Sequence, residues 1–157
     1  GAFPEHVPRL IGEVDKVSLD IKAAWPHYYE VTDLNCARHV QASLARYREA
    51  HAASTLPEFE VVHTVIRGHE ADVPAVAAAA EGVDLVLQQG VWGREPPLSL
   101  AEFQALADQL HRPVRIRTKE IGEVLYQDGV FTIAGSIRVT DPERLQAYYK
   151  SGVRRGD

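Results

Sequence analysis

The chain has 157 residues, of which 45% are hydrophobic and 25% are charged, and its formal net charge is −5. This composition is typical of one globular domain and excludes a disordered chain. The negative charge argues against a nucleic-acid partner, because phosphate binding needs a basic surface. No apolar run approaches the roughly 18 residues that a membrane span requires, so we expect no membrane partner.

The numbers of cysteines and methionines limit the possible disulfide and metal sites and bear on whether the chain is complete. The single Cys36 cannot form an internal disulfide or a multi-cysteine metal site, and a reducing cytoplasm is the predicted compartment. The sequence contains no methionine and opens on Gly1. We therefore expect it to be a piece of a longer protein.

Helical and strand periods alternate along the first half of the chain. Apolar residues over 7–14 follow a helical spacing, and the segment 17–22 then alternates strictly between apolar and polar residues, as a strand does. A helical stripe over 34–47 comes next, with Asp33 as its predicted N-cap. The β-branched residues over 59–66 predict a second strand.

The second half continues the alternation. Asp72 is the predicted cap of a helix that has Pro74 in its first turn and Gly82 just beyond its end, and 83–89 is an apolar strand. The segment 99–102 is a capping box that opens another helix. The remaining predicted features are a strand over 114–118, a turn at Gln127-Asp128-Gly129, a strand containing Ser136, and a helix over 142–151 closed by Gly152.

This order of elements predicts the fold class. Strands that alternate with helices of ten or more residues indicate right-handed crossovers and a parallel sheet, so the class is α/β. In such sheets ligands bind at the carboxyl ends of the strands. The residues at three strand ends are therefore the candidates for a functional site.

The first strand ends in a charged pair. Ser18, Asp20 and Lys22 alternate with apolar residues and so share one face of the strand. A carboxylate beside an ammonium group in a cleft is costly unless both are paired. A ligand with an amine and a carboxylate, such as an amino-acid moiety, would pair with both, whereas an edge strand with one wet face accounts for the same alternation.

The second and third strands offer weaker signals. His63 and Thr64 end the second strand, but a lone histidine in a strand is more often a hydrogen-bonded structural residue than a ligand, and nothing near it has zinc spacing. The third strand ends in Gln88-Gln89-Gly90. Its two amides either bind the edge of a ligand or cap the strand into its loop, and both interpretations stay open.

These strand ends carry a family resemblance. The segment 14–23 resembles the fourth strand of the radical S-adenosylmethionine (SAM) enzymes that activate glycyl-radical proteins, above all the activator of anaerobic ribonucleotide reductase. That family has a D-x-K motif there, matched by Asp20 and Lys22, and then a tyrosine, for which Tyr28 or Tyr29 would serve. The segment 59–66 resembles the family's fifth strand, and 85–89 resembles its sixth. The segment 113–118 resembles the part of the family that closes the domain.

The resemblance covers 1–123 and implies that this part is the carboxyl-terminal half of a radical SAM-type (β/α)6 partial barrel. Residues 124–157 match no part of the family, and their pattern predicts a β-extension and a C-terminal helix. Asp20 and Lys22 would lie near the methionyl carboxylate and ribose of SAM. Gln88 and Leu87 would lie near its adenine. His63 and Thr64, on the fifth strand, complete the expected cofactor-binding set.

The sequence also departs from the family. The C-x3-C-x2-C loop for a [4Fe–4S] cluster and the glycine-rich motif for the methionyl amine have no counterpart. Val62 stands where an arginine is common, Arg67 where a proline is expected, and Asp33 where a glycine often follows the tyrosine. The cluster is therefore expected only in a missing N-terminal half, and we expect this chain alone to be inactive in SAM cleavage.

Two functions remain open. The chain is either part of a radical SAM enzyme, whose eventual partner would be a glycyl-radical enzyme, or a non-catalytic α/β binding or interaction domain derived from such a barrel. In the first case, the strand over 17–21 would lack the neighbour that a complete barrel supplies. Because unpaired strand edges invite pairing, we expect association with the missing half or self-association through that edge.

Overall fold

A single sheet organises the protein, whose computed structural model describes residues 1–151. Within these residues the sheet has seven strands in chain order, each hydrogen-bonded to the next. The predicted helix-closing residue Gly152 lies outside the described residues. The strands are β1 (Lys16–Asp20), β2 (Glu58–Val65), β3 (Asp84–Gln89), β4 (Val114–Thr118), β5 (Gly122–Gln127), β6 (Val130–Ile133) and β7 (Ile137–Val139).

The pairing of the strands changes once along the sheet, from parallel to antiparallel. β1, β2, β3 and β4 run parallel, whereas β5, β6 and β7 each run antiparallel to the preceding strand. The predicted α/β class and the parallel order of the first strands are therefore confirmed. The antiparallel strands extend the same sheet.

Helices cover one face of this sheet. Right-handed crossovers between adjacent parallel strands place the connecting helices on the same side. The apolar core lies between the two layers and includes Phe103 and Ile116, both inaccessible to solvent. The helices are α1 (Val7–Leu10), α2 (Tyr28–Thr32), α3 (Ala37–Ala52), α4 (Val73–Ala79), α5 (Leu100–Asp108) and α6 (Pro142–Lys150).

The other face of the sheet, which we call the open face, carries polar side chains. In β4, for example, Val114 and Ile116 are buried toward the helices, whereas Arg115 and Arg117 alternate with them and are half-buried. The register of the strands assigns the following residues of β1 to β5 to the open face: Lys16, Ser18, Asp20, Glu58, Glu60, Val62, Thr64, Asp84, Val86, Gln88, Arg115, Arg117, Glu123 and Leu125.

The predicted helix starts are confirmed in one case and corrected in two. The capping box is present, since Ser99 Oγ accepts from the Glu102 amide at 3.2 Å and Glu102 Oε2 accepts from the Ser99 amide at 2.7 Å. Asp33 as the cap of α3 is wrong, because α3 begins after Cys36 and Asp33 instead ends α2. Asp72 occupies the N-cap position of α4, but its carboxylate makes no capping bond and is used elsewhere.

The antiparallel extension has the predicted tight turn. Asp128 and Gly129 connect β5 to β6 with φ angles of 49° and 79°, the left-handed pair that a two-residue hairpin needs. The prediction that Ser136 lies within a strand is wrong, since it lies in the turn between β6 and β7.

Candidate functional site

The carboxyl end of β1 presents the predicted charged pair. Asp20 Oδ2 lies 3.2 Å from Lys22 Nζ, and about half of each side chain is exposed. Leu19 and Ile21 alternate with them and are buried beneath the helices. Alternation along the strand thus brings a carboxylate and an ammonium group to one accessible place.

A pocket of about 500 Å³ opens beside this pair. Thr64 at the end of β2 also lines it, so three of the predicted site residues meet there. Most of the remaining wall is apolar, which suits a ligand that carries charges at one end and an apolar portion at the other. The apolar part of the lining includes Val31, Leu34, Val40, Ile66 and Trp92.

Tyr28 is the tyrosine that contributes to this pocket. Its side chain is buried, and its hydroxyl accepts from the Lys22 backbone amide at 3.3 Å. Burial raises the pKa of Tyr28, so the hydroxyl stays protonated at neutral pH. Tyr29, the alternative from sequence, is 60% exposed and is not among the residues that line the pocket.

The other predicted site residues divide between the two faces of the sheet. Gln88 lies on the open face, where its amide donates to Thr64 Oγ1 at 3.3 Å and accepts from Arg117 at 3.0 Å. His63 and Leu87 point to the helix-covered side and are almost completely buried. The structure therefore does not bring these two side chains together with Asp20 and Lys22 on the open face.

A histidine–carboxylate pair, which the sequence did not reveal, fixes the segment between Lys22 and Tyr28. Asp72 is buried; its Oδ1 accepts from His27 Nδ1 at 2.7 Å, and its Oδ2 accepts from the Ala24 amide at 3.0 Å. His27 is half-exposed. The carboxylate that was predicted to cap α4 thus anchors the loop that carries two pocket residues.

His63 is buried on the side of the helices. Its Nδ1 donates to the Ile21 carbonyl oxygen at 2.8 Å, so the neutral ring leaves Nε2 as an acceptor. Within the described residues, Nε2 has no hydrogen-bond partner. Burial lowers the pKa of His63, although the bond to Ile21 and the charge of Asp72 act in the opposite direction.

We expect the two histidines to titrate on opposite sides of 6.5, the ordinary pKa of the side chain. The hydrogen bond and charge of Asp72 raise the pKa of His27, whereas burial lowers that of His63. At pH 6.5 His27 should be mostly protonated and His63 mostly neutral, as NMR titration of the ring signals can measure. Because the unfolded chain binds a proton at His63 more readily, this residue should reduce stability as the pH falls below about 6.5.

The Asp72→Asn variant is the control for this titration. It should lower the pKa of His27, because the charge that favours the imidazolium is removed. The pKa of His63 should stay below 6.5 in the variant, because burial is its main cause. If His63 were mostly protonated at pH 6.5 in the wild-type protein, its pKa would not be lowered by burial, and this prediction would be wrong.

The open face carries a network of charged side chains around Glu60. Its carboxylate is buried, and it accepts from Ser18 Oγ at 2.6 Å and pairs with Lys16 Nζ at 3.1 Å. Arg115 and Arg117 lie at 3.6 and 3.7 Å from its oxygens. Val62 and Val86 also face this side but are buried, so the longer side chains of the network cover the sheet.

Burial and the neighbouring hydrogen bonds and charges together set the pKa of Glu60. Burial alone would raise it, but the Ser18 hydrogen bond and the charges of Lys16 and Arg117 more than compensate. The pKa of Glu60 therefore lies below its ordinary value, and the carboxylate is ionised at neutral pH.

Arg67 lies just after β2 and binds residues of the segment that connects β3 to α5. Its guanidinium makes a bidentate pair with Glu102 at 2.8 and 2.9 Å and donates to the carbonyl oxygens of Pro96 and Pro97. The Arg67 hydrogen bond holds the pKa of Glu102 at about 2. Arg67, which follows β2, thus fastens the end of β2 to the loop after β3 and to the start of α5.

An iron–sulfur cluster does not fit this chain. The sequence has one cysteine, whereas a [4Fe–4S] cluster is held by several thiolates. Among residues 1–151, no group of three or more His, Cys, Asp or Glu side chains is placed to hold a metal ion. The pocket at the strand ends, by contrast, places the charged pair of Asp20 and Lys22 beside a largely apolar wall.

Comparison with known proteins does not assign a family. No protein-family model matches the sequence, and no curated protein matches it. None of the helices in the described part of the chain is long and apolar enough to cross a bilayer.

Proposed function

We propose that this chain is the carboxyl-terminal half of a radical SAM-type partial barrel and that it contributes part of a SAM site. The observation that carries the proposal is the meeting of Asp20, Lys22 and Thr64 at one pocket, where the parallel strands β1 and β2 end. The ammonium of Lys22 would bind the methionyl carboxylate, and Asp20 would bind a ribose hydroxyl or the amine. In the family that the sequence resembles, SAM bound at a cluster is a source of radicals.

Two further features support the proposal. Tyr28 contacts the backbone of Lys22, in keeping with the tyrosine that follows the D-x-K motif in that family. Asp33 has φ 55°, a left-handed conformation that favours glycine, and it stands where the family often has glycine. Aspartate is among the residues that tolerate this conformation, so the departure at Asp33 is compatible with a position that suits glycine.

A second candidate function is a non-catalytic binding domain. The favouring observation is the open face, where Glu60 and its cations pair with one another and bury Val62 and Val86. A sheet face that is covered by its own side chains does not require the missing half of a barrel. In this case the pocket would take a free amino acid with an apolar side chain.

The test is calorimetric titration of the purified chain with SAM. Only part of the SAM contacts are available, so we expect a millimolar dissociation constant rather than a micromolar one, a difference of roughly 4 kcal/mol. Lys22→Ala should weaken binding at least about tenfold, because it removes the partner of the ligand carboxylate. Lys150→Ala is the matched control, since Lys150 lies on α6, and we expect it to bind like the wild type.

The comparison ligands separate the two candidates. SAM that binds more tightly than methionine and leucine supports the SAM site. Equal binding of SAM and free methionine would favour the amino-acid domain. Binding of SAM that is undiminished in Lys22→Ala would remove Lys22 from the site and contradict the proposal.

A further inference from the structure

The free edge of β1 is one of the two sheet edges that have no neighbouring strand among the described residues, the other being the edge of β7. β1 is the first strand of the sheet and pairs only with β2 among the described residues. The Ile21 amide donates to the Val62 carbonyl oxygen, and the Glu58 amide donates to the Asp15 carbonyl oxygen. Odd-numbered residues of this strand therefore direct their backbone groups toward β2, and even-numbered residues direct theirs outward.

The outward residues form a short unpaired row. They are Lys16, Ser18 and Asp20, whose side chains lie exposed on the open face. Their backbone amides donate no hydrogen bond to any other residue within 1–151. Such a row is a template for pairing with another strand.

The side chains of this row are self-complementary. If two copies of β1 pair antiparallel about Ser18, then Lys16 lies opposite Asp20 of the second copy, and Asp20 lies opposite its Lys16. Val17 then lies opposite Leu19 on the side of the helices. Charges of opposite sign and apolar residues thus meet directly across the strands, which is the favourable arrangement for cross-strand pairs.

The backbone supports the same register. In an antiparallel pair, residues that face each other with outward backbone groups exchange two N–H···O bonds. The three outward residues match one another in this register, because Ser18 meets Ser18 and Lys16 meets Asp20. The two-fold axis through Ser18 closes the assembly at two copies.

We propose that the β1 edge is a homodimer interface in which two copies join their sheets antiparallel around Ser18. The partner is a second copy of this chain. The proposal concerns this chain by itself, since in a completed barrel the neighbouring strand of the other half would occupy the same edge. It does not depend on SAM binding and is tested without ligand. A single strand edge buries a small area, so we expect a reversible dimer with a dissociation constant on the order of 0.1 mM.

Sedimentation equilibrium from about 10 μM to 1 mM tests the proposal with the Ser18→Pro variant. Proline removes the outward N–H at the centre of the interface, and because Ser18 does not bond β2 through its backbone, the fold should tolerate it. We expect the wild type to dimerise and Ser18→Pro to remain monomeric. Ser18→Ala, which loses the Glu60 hydrogen bond but keeps the N–H, is the matched control and should dimerise.

A charge variant keeps the test valid if proline unfolds the chain. Asp20→Lys places two lysines opposite each other at both ends of the interface, and we expect the dissociation constant to rise roughly tenfold or more. Dimers of Ser18→Pro with wild-type affinity would overturn the proposal. A wild-type chain that stays monomeric over the whole concentration range would also overturn the proposal and leave the edge to another partner. Larger oligomers of the wild type would overturn it as well.

Discussion

Replacing Asp72 with alanine is expected to lower the free energy of unfolding by about 3 kcal/mol. The buried carboxylate accepts from the Ala24 amide and from His27, and hydrogen bonds to a charged group are the stronger ones. The alanine variant leaves the buried Ala24 N–H without an acceptor. Urea denaturation of the two proteins measures the difference.

The Asp72→Asn variant separates the hydrogen bond from the charge. Its amide oxygen can still accept from Ala24, so we expect a loss of about 1 kcal/mol. Because Asp72 raises the pKa of His27, the stabilisation from this pair is fully present below pH 6.5 and is lost as the pH rises through the pKa of folded His27. An Asp72→Ala variant as stable as the wild type would show that this anchor does not hold the loop.

We also expect the Asp72→Ala substitution to weaken ligand binding at the pocket. Ala24 and His27 lie between Lys22 and Tyr28, which both line it. Without the anchor, the loop that positions them has fewer fixed points. Asp72→Ala should therefore also weaken binding at the strand ends, even though Asp72 does not line the pocket.

Local patterns were sufficient for much of the fold. The strict alternation over 17–22 predicted β1 and the face that carries Asp20, because burial of one face imposes a period of two. The capping box at Ser99 and the turn at Asp128 were predicted because their hydrogen bonds and φ angles join residues close in sequence. The coarse α/β order follows from such local signals.

The orientation of β2 could not be predicted in the same way. From Phe59 to His63 every residue is buried, on both faces, so the sequence lacks the alternation that would assign His63 to one side. Glu60 is buried on the open face only because cations from β1 and β4 surround it. Register between strands decides both positions, and register depends on contacts that are distant in sequence.

The residues that form and hold one side of the pocket, Tyr28 and the pair of His27 with Asp72, could not be predicted from local patterns for a related reason. α2 has five residues, too few for a helical period to emerge, so Tyr28 could be recognised only by resemblance. The pairing of His27 with Asp72 spans 45 positions of the chain. A local pattern favoured Asp72 as a helix cap, whereas the tertiary structure offered its carboxylate stronger partners.

Replacing Glu60 with alanine is expected to cost about 2 kcal/mol of stability at neutral pH. Lys16, Arg115 and Arg117 would lose the carboxylate between them and repel one another, and Ser18 Oγ would lose its acceptor. The arginines are half-exposed and retain Glu123, which keeps the cost below that of a fully buried pair. Thermal and urea unfolding of the variant measure the loss.

The pH dependence of Glu60→Gln distinguishes the charge of this residue from its shape. Glutamine keeps the size and a possible acceptor for Ser18 but not the charge. Because the pKa of Glu60 is lowered in the folded protein, its stabilisation is present above the unfolded value of 4.5 and is lost as the pH falls through the folded value. The wild type should therefore be more stable than Glu60→Gln at pH 7, and the two should converge on acidification below 4.5. A difference that is independent of pH would mean that packing, and not the charge of Glu60, holds the open face together.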